Sequence, residues 1–322
     1  MVSDVGTPTE LATRSRNILH SVILVGGIGL ITGLCAWLLW GRAGVVATFL
    51  CIPLLLLVSP RIAPEIILRM YGGRQVTPWS GGALLRTVEE LARRAGLPAV
   101  PKVYVIPSPI LNAFATGTQS DAVIAVTQGM LASLSGREIT GVLAHEMAHV
   151  RHNDLWVMNL ADTLSRFTHF MSMFAVLLFL LNLPFMFMGG APISWGGIIL
   201  LYFAPTVSGL LQLGLSRARE YGADFEGARL AGDPDGLISA LQKIERYQRG
   251  IWENVFMPGR RVPVPSLLRT HPPTEERVAR LAALRGAGEP AYSVNHTGAA
   301  ELAGLFGPLR PRPSYRISGL WY

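Results

Sequence analysis

Charge is scarce in this sequence. Only 15% of its 322 residues are Asp, Glu, Lys or Arg, against about a quarter in soluble globular chains. Half are hydrophobic and the mean hydropathy is +0.37, which excludes a water-soluble single domain. Cysteine is almost missing. Cys35 and Cys51 both fall in apolar runs, so there is no disulfide framework and no cysteine-based zinc ribbon, and they read as small packing residues. The net charge, 28 − 21 = +7, is spread along the chain without a basic, aromatic-interleaved module, which excludes nucleic acid as a partner. There is no internal repeat.

The missing charge marks out what is present. No Asp, Glu, Lys or Arg occurs between Arg16 and Arg42, between Arg42 and Arg61, or between Arg166 and Arg217, runs of 25, 18 and 50 residues. A membrane helix needs roughly 20 apolar residues. The first two runs therefore predict one span each, and the third predicts two, joined by a turn at Gly189-Gly190-Ala191-Pro192. Ile18 to Trp40 is too long for the apolar region of a cleaved secretory signal, and no small-residue cleavage site follows it, so it is expected to stay as an anchor. Arg14 and Arg16 precede the first span, Arg61, Arg69 and Arg74 follow the second, and only Arg42 lies between. The positive-inside rule then puts both termini and the polar segments in the cytoplasm. The expectation is a multi-pass protein of the plasma (inner) membrane.

Five segments follow. Residues 1–60 hold an N-terminal stretch and two transmembrane helices, 61–166 the first part of a cytoplasmic domain, 167–216 a transmembrane hairpin, 217–288 the second part of that domain, and 289–322 an irregular tail rich in Pro, Arg and aromatics. Neither polar part is large enough to bury a good core alone, so one domain assembled around the hairpin is expected. Within it, Ser80 is a candidate cap for a helix with Leu84, Leu85, Val88, Leu91 and Ala92 on one face, ended by Gly96. Val103 and Val105 alternate as in a short strand, and Asp121 to Thr127 is a second strand. Ser135 and Glu138 are spaced as a capping box for a long helix. Asp233-Pro234 caps another, with Leu237, Ile238, Leu241 and Ile244 on one face, and a last helix starts near Pro273.

The long helix contains His145-Glu146-Met147-Ala148-His149. Histidines four apart project from the same side of a helix and can bind one metal, while the glutamate after the first can serve as a general base. Random order would produce this pattern on the order of one time in a hundred, so it needs support. A catalytic zinc requires a third protein ligand and an open position. Six residues after the second histidine stands Leu155, which excludes the class that uses a third histidine there. The best candidate is Glu220, in Arg217-Ala218-Arg219-Glu220-Tyr221-Gly222-Ala223-Asp224, with Asp224 one turn on to accept the free N–H of a ligating histidine. His152 is the rival ligand, on nearly the same face as His149. His271, held before Pro272 and Pro273, is a candidate oxyanion stabiliser.

Four segments together resemble the HtpX-type membrane-bound zinc metalloproteases, relatives of the CAAX prenyl proteases. They are Asn112-Ala113-Phe114-Ala115-Thr116-Gly117, the His145 to His149 motif, Arg219-Glu220-Tyr221-Gly222-Ala223-Asp224, and His271-Pro272-Pro273-Thr274-Glu275-Glu276-Arg277. They occur in the family's order and span about residues 80 to 285. The resemblance implies zinc on His145, His149 and Glu220, Glu146 as base, Asn112 and His271 in contact with the substrate or tetrahedral intermediate, and pairing of an extended peptide with the strand near Val123 to Val126. Where the family often has asparagine three residues after the second histidine this chain has His152, whereas Asp154 fits the usual acidic position.

The fold expected is thus an α+β membrane protein, four transmembrane helices with a mainly helical zincin-like catalytic domain containing a small β-sheet. The reaction expected is hydrolysis of peptide bonds in membrane or misfolded proteins at the cytoplasmic face. Two enzymatic alternatives fit the sequence less well. An intramembrane protease would bury Arg137, Glu138, Arg151 and Asp154 in lipid at high cost. A prenyl-peptide protease of CAAX type shares the motifs, but four spans are few to enclose a lipid-accessible chamber. A metal-binding membrane scaffold leaves Glu146 unexplained, and the 50-residue run carries no ionisable pair at mid-membrane. His149 lies 17 residues before Arg166. On an unbroken helix that is roughly 25 Å, whereas Glu220 lies within about two turns of the end of the fourth span, so either the histidine helix bends or the hairpin helices project into the cytoplasm, and projection of the hairpin helices is the expectation. Gly259, between Pro258 and Arg260-Arg261, is a candidate lid position.

Overall fold

The computed structural model describes residues 8–58, 68, 72–188, 195–256 and 272–285. His271, the Gly259 segment, the turn at 189–192 and the tail 289–322 lie outside the described residues. The chain divides into two compact units, one of residues 1–61, 153–222 and 263–273 and one of 62–152, 223–262 and 274–322.

In the first unit, α1 (Pro8–Val58) packs against α5 (Asp154–Phe187), and α6 (Trp195–Ala231) begins here. Three helices are long and apolar enough to cross a membrane, over Leu19–Leu54, Asp154–Phe185 and Trp195–Ala231. The two runs expected as separate spans are thus joined in one helix, but its backbone breaks at Gly41, with φ 62 and ψ −149, a conformation essentially reserved for glycine. Ile28 and Ile52 share a buried cluster with Ala161, Leu164 and Leu215. Residues 24 apart on a straight helix would be about 36 Å apart, so α1 doubles back at Gly41. Thr32 and Thr168 join their hydroxyls at 3.1 Å in the interior of this unit. Outward stand Leu30, Leu50, Phe170 and Met173, all exposed, a surface suited to lipid rather than water.

The second unit is built on a four-stranded sheet in the order β1-β2-β4-β3. Its strands are β1 (Arg74–Gln75), β2 (Lys102–Ile106), β3 (Ala113–Thr118) and β4 (Asp121–Thr127). β2 and β4 are parallel, and the pairs β1 with β2 and β3 with β4 are antiparallel. Side chains alternate between faces. Val103, Val105, Ile124 and Val126 meet α2 (Pro78–Ala95) and the histidine helix α4 (Gly136–Arg151) through Leu84, Val88, Leu91, Leu143, Ala144 and Met147. Tyr104, Ile106, Val123 and Ala125 turn to the other face with Leu68. Cover on both faces explains why β4 is apolar at almost every position. It also corrects the expectation that residues 123–126 pair with a peptide: β4 is hydrogen-bonded on both sides, and the edge strands among the described residues are β1 and β3.

Local signals set the helix ends. α2 starts before Ser80: Thr77 is its cap, Pro78 opens it, and the Thr77 N–H donates to Ser80 Oγ at 2.9 Å. A short α3 (Gln128–Ser133) follows β4. Ser135 and Glu138 form the expected capping box on α4, where the Ser135 N–H donates to Glu138 Oε2 at 2.7 Å. Asp233 caps α7 (Pro234–Phe256) through the Gly236 N–H and pairs with Arg137. Leu237, Ile238 and Leu241 then bury against Ala228 and against Leu281 of α8 (Thr274–Ala282). The histidine helix ends at Arg151, Asn153 turns left-handed at φ 54, and α5 begins at Asp154. The straight helix behind the 25 Å estimate therefore does not exist.

Candidate active site

α4 carries the site because its two faces differ: Leu143, Ala144 and Met147 bury in the core, and His145 and His149, four apart, share the other side. Their Nε2 atoms face each other at 3.2 Å, with the rings nearly perpendicular. Two ring nitrogens so placed require a shared proton or a cation between them.

The second wall is α6. A Cβ on Gly227 would fall 2.8 Å from His145 Cα, so only glycine permits this approach of helix to helix. One turn earlier, Asp224 Oδ1 lies 3.1 Å from His145 Nδ1. A carboxylate only accepts, so a proton on Nδ1 faces it, and the neutral ring in that tautomer offers its Nε2 lone pair. Asp224 is itself buried and fixed by Arg277 of α8, whose Nε and Nη2 donate to its two oxygens at 2.7 and 2.6 Å. One turn before Asp224 on the same helix is Glu220, buried, and the ligand atoms of His145, His149 and Glu220 lie within 4.8 Å of one another.

These donors fit a tetrahedral divalent ion. Bonds of about 2.05 Å place two tetrahedral ligand atoms about 3.3 Å apart, close to the 3.2 Å between the facing Nε2 atoms. Two imidazoles and one carboxylate leave a fourth position open. Glu146, next to His145, receives a hydrogen bond on Oε2 from the Ala115 N–H of β3 at 3.1 Å. His152 caps α4, its N–H donating to the Ala148 carbonyl, and is not part of the three-residue cluster. Asn112 stands exposed at the entrance to β3, its main chain pinned to Thr127. Asp154 is paired with Arg219 at 2.8 Å.

Sequence reasoning gave no role to Arg277, Gly227 or the Ala115 N–H. Arg277 lay inside a quoted motif, but its pairing with Asp224, 53 residues away, has no local signal. A close approach at a helical glycine and a main-chain donor leave none either.

A helix pair whose side chains could hold a metal ion, an adjacent glutamate and helices fit to cross a bilayer are the features of a membrane-bound metalloprotease. The chain belongs to peptidase family M48, whose model matches residues 78–285. It is 35% identical over 294 residues to a protein named Protease HtpX homolog from Ralstonia pickettii, covering 85% of this chain and 98% of that one. To a protein of the same name from Paraburkholderia phytofirmans it is 38% identical over 238 residues, covering 67% and 79%. Among solved structures it is similar to S. mikatae Ste24p, with a TM-score of 0.49 and 23% identity over 85% of this chain and 67% of that one.

Proposed function

We propose that the protein is a zinc endopeptidase of the plasma membrane that hydrolyses peptide bonds of membrane or misfolded proteins at the cytoplasmic face. The observation that carries this is the pair of facing histidine nitrogens with Glu220 beside them. His145, His149 and Glu220 hold the ion, two imidazoles and a carboxylate being a donor set that suits zinc. α1 crosses the bilayer twice, reversing at Gly41, which with α5 and α6 makes four crossings. The catalytic half is drawn from the polar segments on either side of the 167–216 hairpin.

When bound, the ion supplies Lewis acidity that activates water and polarises the scissile carbonyl. Glu146 takes a proton from the attacking water at its carboxylate and returns it to the leaving amine. Asp224, fixed by Arg277, keeps the His145 ring in the tautomer that offers Nε2. Asn112 and His271 contact the substrate. The test compares zinc content and casein cleavage by wild type and Glu146→Gln in detergent. The variant is expected to keep one zinc per chain and lose about a hundredfold or more in turnover. Zinc retention with undiminished cleavage would remove Glu146 from the chemistry.

A further inference from the structure

Glu146 and the β3 edge of the sheet meet in one hydrogen bond that peptide hydrolysis as such does not require, from the Ala115 N–H to Glu146 Oε2 at 3.1 Å. The register of β3 shows on which side this donor lies. Phe114 and Thr116 stand opposite Ala125 and Val123, and the Thr127 N–H donates to the Asn112 carbonyl at 2.9 Å. In an antiparallel pair, bonded positions alternate with positions whose N–H and C=O point away. Asn112, Phe114 and Thr116 therefore bond β4, and Ala113, Ala115 and Gly117 turn their polar groups to the free edge. Ala115 is only 7% exposed, and a buried N–H must have an acceptor. Glu146 supplies it.

The consequence falls on the carboxylate. The terminal torsion of a glutamate is broad, so a side chain anchored only at its helix sweeps many orientations. A bond on one oxygen fixes the carboxylate plane and leaves the other oxygen unencumbered. Resting on the reading of Glu146 as the base, we propose that the Ala115 main-chain N–H is a positioning group for it. The N–H holds Oε2 against β3 and leaves Oε1 to take and return the proton. Base and free edge then move as one body, so a peptide lying along β3 is registered against the group that serves its scissile bond.

The donor can be removed without touching a side chain. Lactic acid in place of Ala115 turns the amide into an ester, and the β4 ladder does not use that N–H. An ester also weakens the preceding carbonyl. Glycolic acid in place of Gly117 does the same to Thr116 without facing Glu146, and serves as reference. Relative to that reference, the ester at 115 is expected to lower kcat on a short peptide about ten- to a hundredfold with KM changed less than about twofold. A second readout needs neither turnover nor metal. Glu146→Ala should speed hydrogen exchange of the Ala115 amide at least about tenfold, with the Phe114 and Thr116 amides unchanged. Equal kcat for the two esters, or Ala115 exchange indifferent to Glu146→Ala, overturns the positioning role. Exchange that responds as expected in a protein that cleaves nothing leaves the hydrogen bond standing and overturns the assignment of Glu146 as base, and the proposal with it.

Discussion

Gly227→Ala tests whether helix spacing places the proposed metal ligands. The added Cβ would lie 2.8 Å from His145 Cα, 2.9 Å from His145 N and 3.2 Å from the Ala144 carbonyl carbon. All are main-chain atoms inside α4 and cannot rotate away. Carbon contacts settle near 3.5–4.0 Å, so the two helices must part by roughly 1 Å. Asp224 sits one turn away on the moving helix, 3.1 Å from His145 Nδ1. A shift of that size carries the contact beyond hydrogen-bond range. Losing such a partner lowers metal affinity about ten- to a hundredfold, and overpacking costs about 1–3 kcal/mol. Zinc affinity is read by competition with a chelating indicator in detergent at fixed pH, and stability by melting the metal-free protein. Gly141→Ala, one turn before His145 on α4, is the reference for overpacking of that helix against α7 rather than α6, since its Cβ meets Leu237 N at 2.8 Å. It should melt earlier to a similar degree with a smaller change in affinity. Gly209→Ala, with nothing within 4 Å, should match the wild type in both. If Gly227→Ala binds zinc like the wild type, or Gly141→Ala weakens binding equally, the spacing argument is wrong.

Three further outcomes are expected. Arg277→Leu takes from the buried Asp224 carboxylate its two-pronged partner, leaving only the His145 contact, and should cost about 3–5 kcal/mol, with Arg277→Lys intermediate because an ammonium cannot reproduce the two-pronged bond; unchanged melting of the leucine variant would show that the pair supports nothing. Glu220→Gln should weaken zinc binding at least about tenfold while the metal-free protein melts no earlier, and unaltered affinity would exclude Glu220 as a ligand. Burial opposes ionisation of Glu138, but bonds from Lys243, Ser239 and Ser135 outweigh it and hold its pKa down to about 2. A depressed carboxyl stabilises the fold fully above its ordinary 4.5 and loses that contribution as pH falls towards about 2. Glu138→Gln should thus destabilise the metal-free protein by up to roughly 3 kcal/mol at neutral pH, with the gap in melting temperature narrowing below pH 4.5. An equal gap at pH 3 and pH 7 would contradict the ionised buried carboxylate.

Much of the scaffold was legible because its causes are local. The Ser135 and Glu138 box, the Asp233-Pro234 cap and the strand at 121–127 each rest on residues within one turn or one strand of each other. The two histidines were legible for the same reason. β3 was quoted as a motif but not read as a strand, since Ala113 to Thr118 mixes small, aromatic and hydroxyl residues without a clean alternation. The reversal inside α1 turns on Gly41 alone, and glycines are common in apolar helices. Pairing of a peptide with residues 123–126 failed because an apolar run does not reveal whether a strand is central or at the edge. The Arg277 to Asp224 pair and the Gly227 contact depend on folding distant segments together, which no periodicity encodes.

The long helix α6 has a further consequence, for the timing of assembly. It runs from a stretch fit to cross the bilayer directly into the turns that carry Glu220 and Asp224. Glu220 is also made roughly seventy residues after His149, so a growing chain displays the two histidines well before their third companion exists. The cluster of His145, His149 and Glu220 is thus complete only once α6 has been synthesised.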